Sequence, residues 1–169
     1  PLDLIRPELG PEVLAQKARE ALAEIGYDTR PRDEAYGFNW DSDLTGYARV
    51  TDKPAPQWKT VLSQRPSPFG FWYRRSDEVM TALAFHSDLL TPGVVNDEDP
   101  PPIRSGMINA EFDAWGRLTF FEAIPPQRSP AAVPAAPVDW TTLFQLAGLD
   151  QAQLQAVAPQ WNRLASSDT

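Results

Sequence analysis

The sequence contains no cysteine and a single histidine, His86. Without thiols there are no disulfides, no thiolate nucleophiles and no Cys-ligated zinc. One imidazole cannot build a multi-histidine metal site, and a Ser-His-Asp triad would depend on His86 alone. That residue follows Phe85 at the end of an apolar run, a setting that suits a structural or surface histidine better than a catalytic one. Positive charge is also scarce. Lys and Arg number 15 against 23 Asp and Glu, a formal net charge of −8, with an isoelectric point near 4.6. Like charge repels phosphate, so nucleic acid and anionic membrane surfaces are disfavoured as partners. No apolar run approaches the ~18 residues of a membrane span. No signal-peptide pattern is visible, and an opening on Pro1 rather than Met reads as an excised piece. Membrane or targeting segments are therefore expected outside the chain. Phosphate-binding glycine loops, H-R-D, D-F-G and G-x-S-x-G are all missing. These gaps leave no catalytic residue to name and no cofactor to expect.

What is present suits a folded domain. The 169 residues are 42% hydrophobic and 22% charged, with six Trp, eight Phe and four Tyr as core material. Pro11 and Glu12 open a helix well, the first by its fixed φ and the second by favouring the positive end of the dipole. Val13, Leu14, Ala18, Ala21, Leu22 and Ile25 then recur at helical spacing, and Gly26 closes the segment. This predicts an amphipathic helix over 11–25. Tyr36 to Trp40 reads as a short strand. Asp41 or Ser42 caps a short helix over Leu44–Val50, and Pro56–Leu62 forms another. Phe69–Arg75 reads as a strand, with Val79–Phe85 extended and pairing back on it. An acidic, proline-rich loop covers Ser87–Pro102. The clearest hairpin joins 107–113 to 117–124 through Asp113-Ala114-Trp115-Gly116, where Asp starts a type I turn and Gly116 takes the left-handed position. On its return strand Leu118, Phe120 and Ile124 are expected on one face, and Thr119, Phe121 and Ala123 on the other. The fold class is thus α+β, an N-terminal amphipathic helix packed on an antiparallel sheet, with short extra helices. Residues 1–127 form the domain and 128–138 a Pro/Ala-rich linker. Residues 139–169 are the helical start of a second unit, or an extension packing on the first. The ends of the helices at Gly26 and Gly148 echo one another, as helix ends in general do.

Two sets of side chains invite a binding role. Asp41, Asp43, Thr45, Gly46 and Asp52 fall at positions one, three, five, six and twelve of a calcium loop. Against calcium, Asp52 is a poorer bidentate ligand than Glu, Ala48 replaces a branched apolar residue, and the flanks are not long helices. A helix cap in a turn is the stronger reading. Among the six tryptophans, most suit the core. Trp115 is different because it sits at a turn tip, where it either folds back or meets a partner. With Trp72 it is the candidate for ligand or partner contact.

Several strings together resemble a known region. They are Pro7-Glu8-Leu9 with Pro11-Glu12-Val13-Leu14, Ala18-Arg19-Glu20, Gly26-Tyr27, Ala35-Tyr36-Gly37-Phe38 and Phe71-Trp72-Tyr73-Arg74. Gly106-Met107 through Phe112-Asp113, Gly116-Arg117-Leu118, Ala123 through Gln127, Asp139-Trp140 and Pro159-Gln160-Trp161 extend them. The chain resembles the region that follows the kinase domain and membrane segments in large bacterial serine/threonine protein kinases of the Acidobacteria type. That resemblance implies a membrane-tethered, extracytoplasmic module continuing past Thr169 in its parent protein, with no kinase activity of its own. It implies a sensory or interaction role toward a small ligand or a protein partner. It carries over no ligand residues. A helix followed by strands also looks loosely like PepSY-type or cystatin-like modules, in architecture alone. The alternatives are a secreted carbohydrate-active or hydrolytic domain, for which paired carboxylates would be needed, and a structural spacer.

Overall fold

The computed structural model describes residues 9–51, 58–63, 65, 67–82, 93–127, 139–158 and 160. The order is α1 (Pro11–Glu24), β1 (Asp33–Trp40), α2 (Ser42–Thr51), α3 (Trp58–Ser63), β2 (Phe69–Ser76), β3 (Ile108–Asp113), β4 (Leu118–Ala123) and α4 (Thr141–Leu146), then a short 3-10 turn at Gln151–Gln153. The four strands form one antiparallel sheet in the order β1-β2-β3-β4. The class is α+β with the N-terminal helix on the sheet. Among the described residues no helix is long and apolar enough to cross a membrane.

Helix α1 buries Leu14, Ala15, Ala18, Ala21 and Leu22 against Phe71, Tyr73, Ile108, Ala110, Phe112 and Leu118. Three alanines on this face let the helix axis approach the aromatic strands closely. Val13, expected in the stripe, is 49% exposed and Ala15 takes its place. At 100° per residue Val13 lies well off the Leu14–Ala18–Leu22 line, so spacing from Leu14 sets the face. The helix ends in a Schellman arrangement. Gly26 at φ 98° donates to Ala23 O, and Tyr27 N–H to Leu22 O.

The sheet departs from the expected pattern in two places. In β4 a bulge opposite Glu111 and Phe112 leaves Thr119 unpaired, with Phe112 facing Leu118 and Ala110 facing Phe121. The extra residue reverses the alternation, so Phe121 and Ala123 join Leu118 on the helix side and Phe120 does not. The predicted pairing of Val79–Phe85 with Phe69–Arg75 is also absent. Both edges of β2 are taken, by β1 and β3, and residues 79–82 form no strand. Met80 is instead fixed by its N–H donating to Asp33 Oδ2 at 2.8 Å. Residues 83–85 and His86 lie outside the described residues, as does the 128–138 linker.

The central strand β2 is buried on both faces from Phe71 to Ser76. The helix covers one face. On the other, segment 93–103 is drawn over the strands by Arg74, whose guanidinium donates to Asn96 O at 2.7 Å, to Asn109 Oδ1 at 2.8 Å and to Pro100 O. The expected acidic loop is therefore a fixed cover where it is described. Leu143 and Leu146 of α4 pack against the main core from the other end of the chain.

Candidate functional site

A recess forms where the end of α1 meets the start of β1. Segment 27–32 crosses this gap, and Arg75 holds it in place. Arg75 Nη1 donates to Tyr27 O at 2.8 Å, and Nη2 to Thr29 O at 2.6 Å. Arg75 is only 5% exposed, and its Nε is buried without a hydrogen-bond partner. Beside it Glu34 accepts a bidentate pair from Arg19, Nε to Oε2 at 3.0 Å and Nη2 to Oε1 at 2.5 Å. The Tyr73 hydroxyl donates to the same Oε2 at 2.6 Å. Arg19 holds the Glu34 carboxyl below its usual range, while burial and then Glu34 push the Tyr73 phenol up.

The resulting cavity has a volume of about 450 Å³ and is lined by Arg19, Ala23, Tyr27, Asp28, Thr29, Arg30, Pro31, Arg32, Asp33, Glu34, Tyr73 and Arg75. That size suits a small metabolite. Four guanidiniums meet three carboxylates there, in a chain whose net charge is −8. Neither the Arg30 nor the Arg32 guanidinium has an ion-pair or hydrogen-bond partner among the described residues.

A second recess of about 300 Å³ lies at the opposite end of the sheet and includes Asn39, Asp41, Asp97, Glu111 and Asp113. Burial first, and then the nearby Asp97 charge, push the Glu111 carboxyl above its usual range. Asp113 is fully engaged by the hairpin turn. It accepts from Trp115 N–H and Arg117 N–H, each at 3.0 Å, and pairs with the Arg117 guanidinium. A third surface feature is aromatic. Tyr36, Phe38 and Trp40 of β1 are each more than a third exposed, and Phe38 stacks on Phe69 with centroids 4.9 Å apart. They lie on the helix face of the sheet, on an edge strand.

The residues singled out from sequence fall at separate places. Trp115 is half-buried, with the Arg117 guanidinium 5.0 Å above its ring, so the turn tip keeps a local contact. The next residue, Gly116, lies against Lys17 and Leu14 of α1. Trp72 is buried on the face away from α1, against Gly37. Asp41 accepts from Leu44 N–H at 2.8 Å and caps α2, while the Thr45 hydroxyl donates to Ser42 O at 3.0 Å. Asp43 sits in the first turn of that helix, and Asp52 lies outside the described residues. Among the described residues no group of three or more Asp, Glu or His stands where it could hold a metal ion.

The arginine cavity was not singled out from sequence. Its one local signal is Arg30-Pro31-Arg32, and a second is the Arg74-Arg75 pair inside an aromatic strand. Neither shows that the end of α1, residues 27–34 and β2 converge. No family model, no curated protein and no solved structure matches the chain.

Proposed function

We propose that this chain is a non-catalytic sensory module that receives a small ligand in the cavity between α1 and the β1–β2 edge. The observation that carries the reading is the cavity itself, about 450 Å³ and lined by four guanidiniums, of which Arg19 and Arg75 are held by hydrogen bonds. A structural spacer has no use for such a recess. The resemblance of several strings to the post-kinase region of bacterial serine/threonine protein kinases supports attachment to a kinase, on the extracytoplasmic side of a membrane. Occupancy of the cavity would then brace segment 27–32 against β1 and β2, and through them the rest of the sheet.

Ala23 lines the cavity from an exposed helix position, so Ala23→Trp fills the recess without touching the core. The isolated variant is expected to melt within about 2 °C of the natural chain, as surface changes do. In the parent protein it is expected to flatten the change in kinase autophosphorylation between rich and minimal medium. An unaltered response from a protein carrying the filled cavity would remove the sensory reading.

A further inference from the structure

We infer that the cavity takes a small oxyanion, a carboxylate or a phosphate, between Arg30 and Arg32 at its mouth and the fixed charge of Arg75 beneath. This rests on the reading of the cavity as the receiving site and names the class of ligand.

The argument is one of unmatched charge. Among the described residues Glu34 is the one cavity carboxylate with a direct ion pair, and that pair is with Arg19. Asp33 spends an oxygen on Met80 N–H. Arg75 is buried, yet both its Nη groups donate to neutral oxygens of Tyr27 and Thr29, and its Nε has no partner. A buried guanidinium is ordinarily matched by an anion, because neutral acceptors do not cancel its charge. Glu34, the cavity carboxylate that feels the Arg75 charge, is already claimed bidentately by Arg19. An oxyanion in the cavity supplies the missing charge.

The two free guanidiniums are suited to reach it. Arg30 and Arg32 flank Pro31, whose ring fixes one backbone dihedral, so less freedom is lost on binding. Arginine presents paired N–H donors that match two oxygens of a carboxylate or phosphate. A neutral sugar would give these two guanidiniums no ion pair, and among the described residues Asp28, the third carboxylate of the cavity, makes none with them either. The cavity is concave and small, so a polyanionic surface such as a membrane or nucleic acid does not fit it, and the chain's overall charge opposes both.

The test uses the full 169-residue chain with two probes, inorganic phosphate and malonate, at ionic strength held constant with sodium chloride. Titration calorimetry is expected to show saturable binding of at least one probe, with a matching rise in melting midpoint. Binding by phosphate alone assigns a phosphate ligand, and by malonate alone a carboxylate. Arg30→Gln/Arg32→Gln alters exposed residues, so the probe-free midpoint should hold while affinity falls about tenfold or more. Ala23→Trp should block binding as well.

Two results overturn the inference. One is no saturable binding of either probe up to about 10 mM, which would mean less than ~3 kcal/mol of attraction at that site. The other is equal stabilisation of the double variant, which marks a general salting effect. If neither probe binds but Ala23→Trp still alters the kinase response, the oxyanion falls and the sensory cavity stands. If a probe binds through Arg30 and Arg32 while the response ignores Ala23→Trp, the oxyanion site stands and the sensory reading falls.

Discussion

Arg74 shows how far a single side chain can organise this protein. It is 1% exposed and binds neutral oxygens from two segments, Asn96 O and Pro100 O on the covering loop and Asn109 Oδ1 on β3. Burial lowers its affinity for a proton, and the charges of Asp99, Asp97 and Glu122 act against that. Arg74→Ala strips donors from these acceptors. Each bond to a charged donor is worth ~1.5–3 kcal/mol net, partly offset by relief of the buried charge. We expect a loss of about 3 kcal/mol, or roughly 6–12 °C in melting midpoint. Arg74→Lys should not rescue it, since one ammonium cannot span the fork. A shift below about 2 °C would show that the loop is held otherwise. Glu111 on the same face makes the opposite prediction. Its folded carboxyl holds its proton to higher pH than an unfolded one, near ~4.3. Ionised Glu111 therefore costs stability, and that cost grows as pH rises past the unfolded value. Glu111→Gln should raise the midpoint at pH 7 and leave it unchanged near pH 3, where both states are protonated. An equal gain at both values would assign the effect to packing. Neither role was readable from sequence, where Glu111 looks like the solvent side of an alternating strand. What was readable is local: the Asp41 cap, and the Asp113–Gly116 turn with its φ of 81° at Gly116, depend on residues within one turn of each other.

The pairing of β1 with β2 turns on a glycine. Gly37 stands opposite Trp72, and a Cβ there would lie 2.8 Å from two ring carbons of the indole. Two effects compete in Gly37→Ala. Losing a glycine from a strand gains roughly 0.5–1 kcal/mol through the unfolded chain. Displacing a buried indole costs about 1–3 kcal/mol, and with Trp72 packed under the loop side of the sheet the clash should win. The expected net is a destabilisation of about 1–2 kcal/mol in urea unfolding. In a Trp72→Phe background the same change should become neutral or stabilising, because the clashing atoms are gone. If Gly37→Ala costs the same in both backgrounds, the contact is not its cause. Elements that bury one face were legible for a plain reason: α1 and the hairpin each repeat their own period over enough residues to be read. The bulge in β4 was not, because Leu118-Thr119-Phe120-Phe121 offers apolar residues at both parities. Nor was the lack of a strand at residues 79–82, which depends on β1 and β3 having already taken both edges of β2. The exposed row Tyr36, Phe38 and Trp40 belongs to this strand too, and marks the outer edge of the sheet among the described strands.

The two ends of the described chain meet on the same core, and this bears on whether the C-terminal helix is a separate unit. Leu143 and Leu146 pack beside the cluster built by α1 and the sheet. Arg65 Nη1 donates to Gly148 O at 3.2 Å, and Gly148 lies against the Arg117 side chain. Helix α4 is Thr141–Leu146, too short to persist in water without tertiary contacts. Its stability must then come from the domain it touches, and the domain must in turn gain from it. Each leucine is partly buried, so the pair contributes roughly 1.5–3 kcal/mol of transfer free energy. A chain ending at residue 138 is therefore expected to melt about 5–10 °C lower than one ending at residue 169. Both should unfold in a single cooperative transition. The shorter chain should also bind more of a hydrophobic dye, through the face of Leu118 and Phe121 that α4 leaves. Leu143→Ala/Leu146→Ala in the longer chain should reproduce most of the shift, which separates side-chain packing from any effect of chain length. An unchanged midpoint in both the truncated and the doubly substituted protein would make α4 a passenger on the domain.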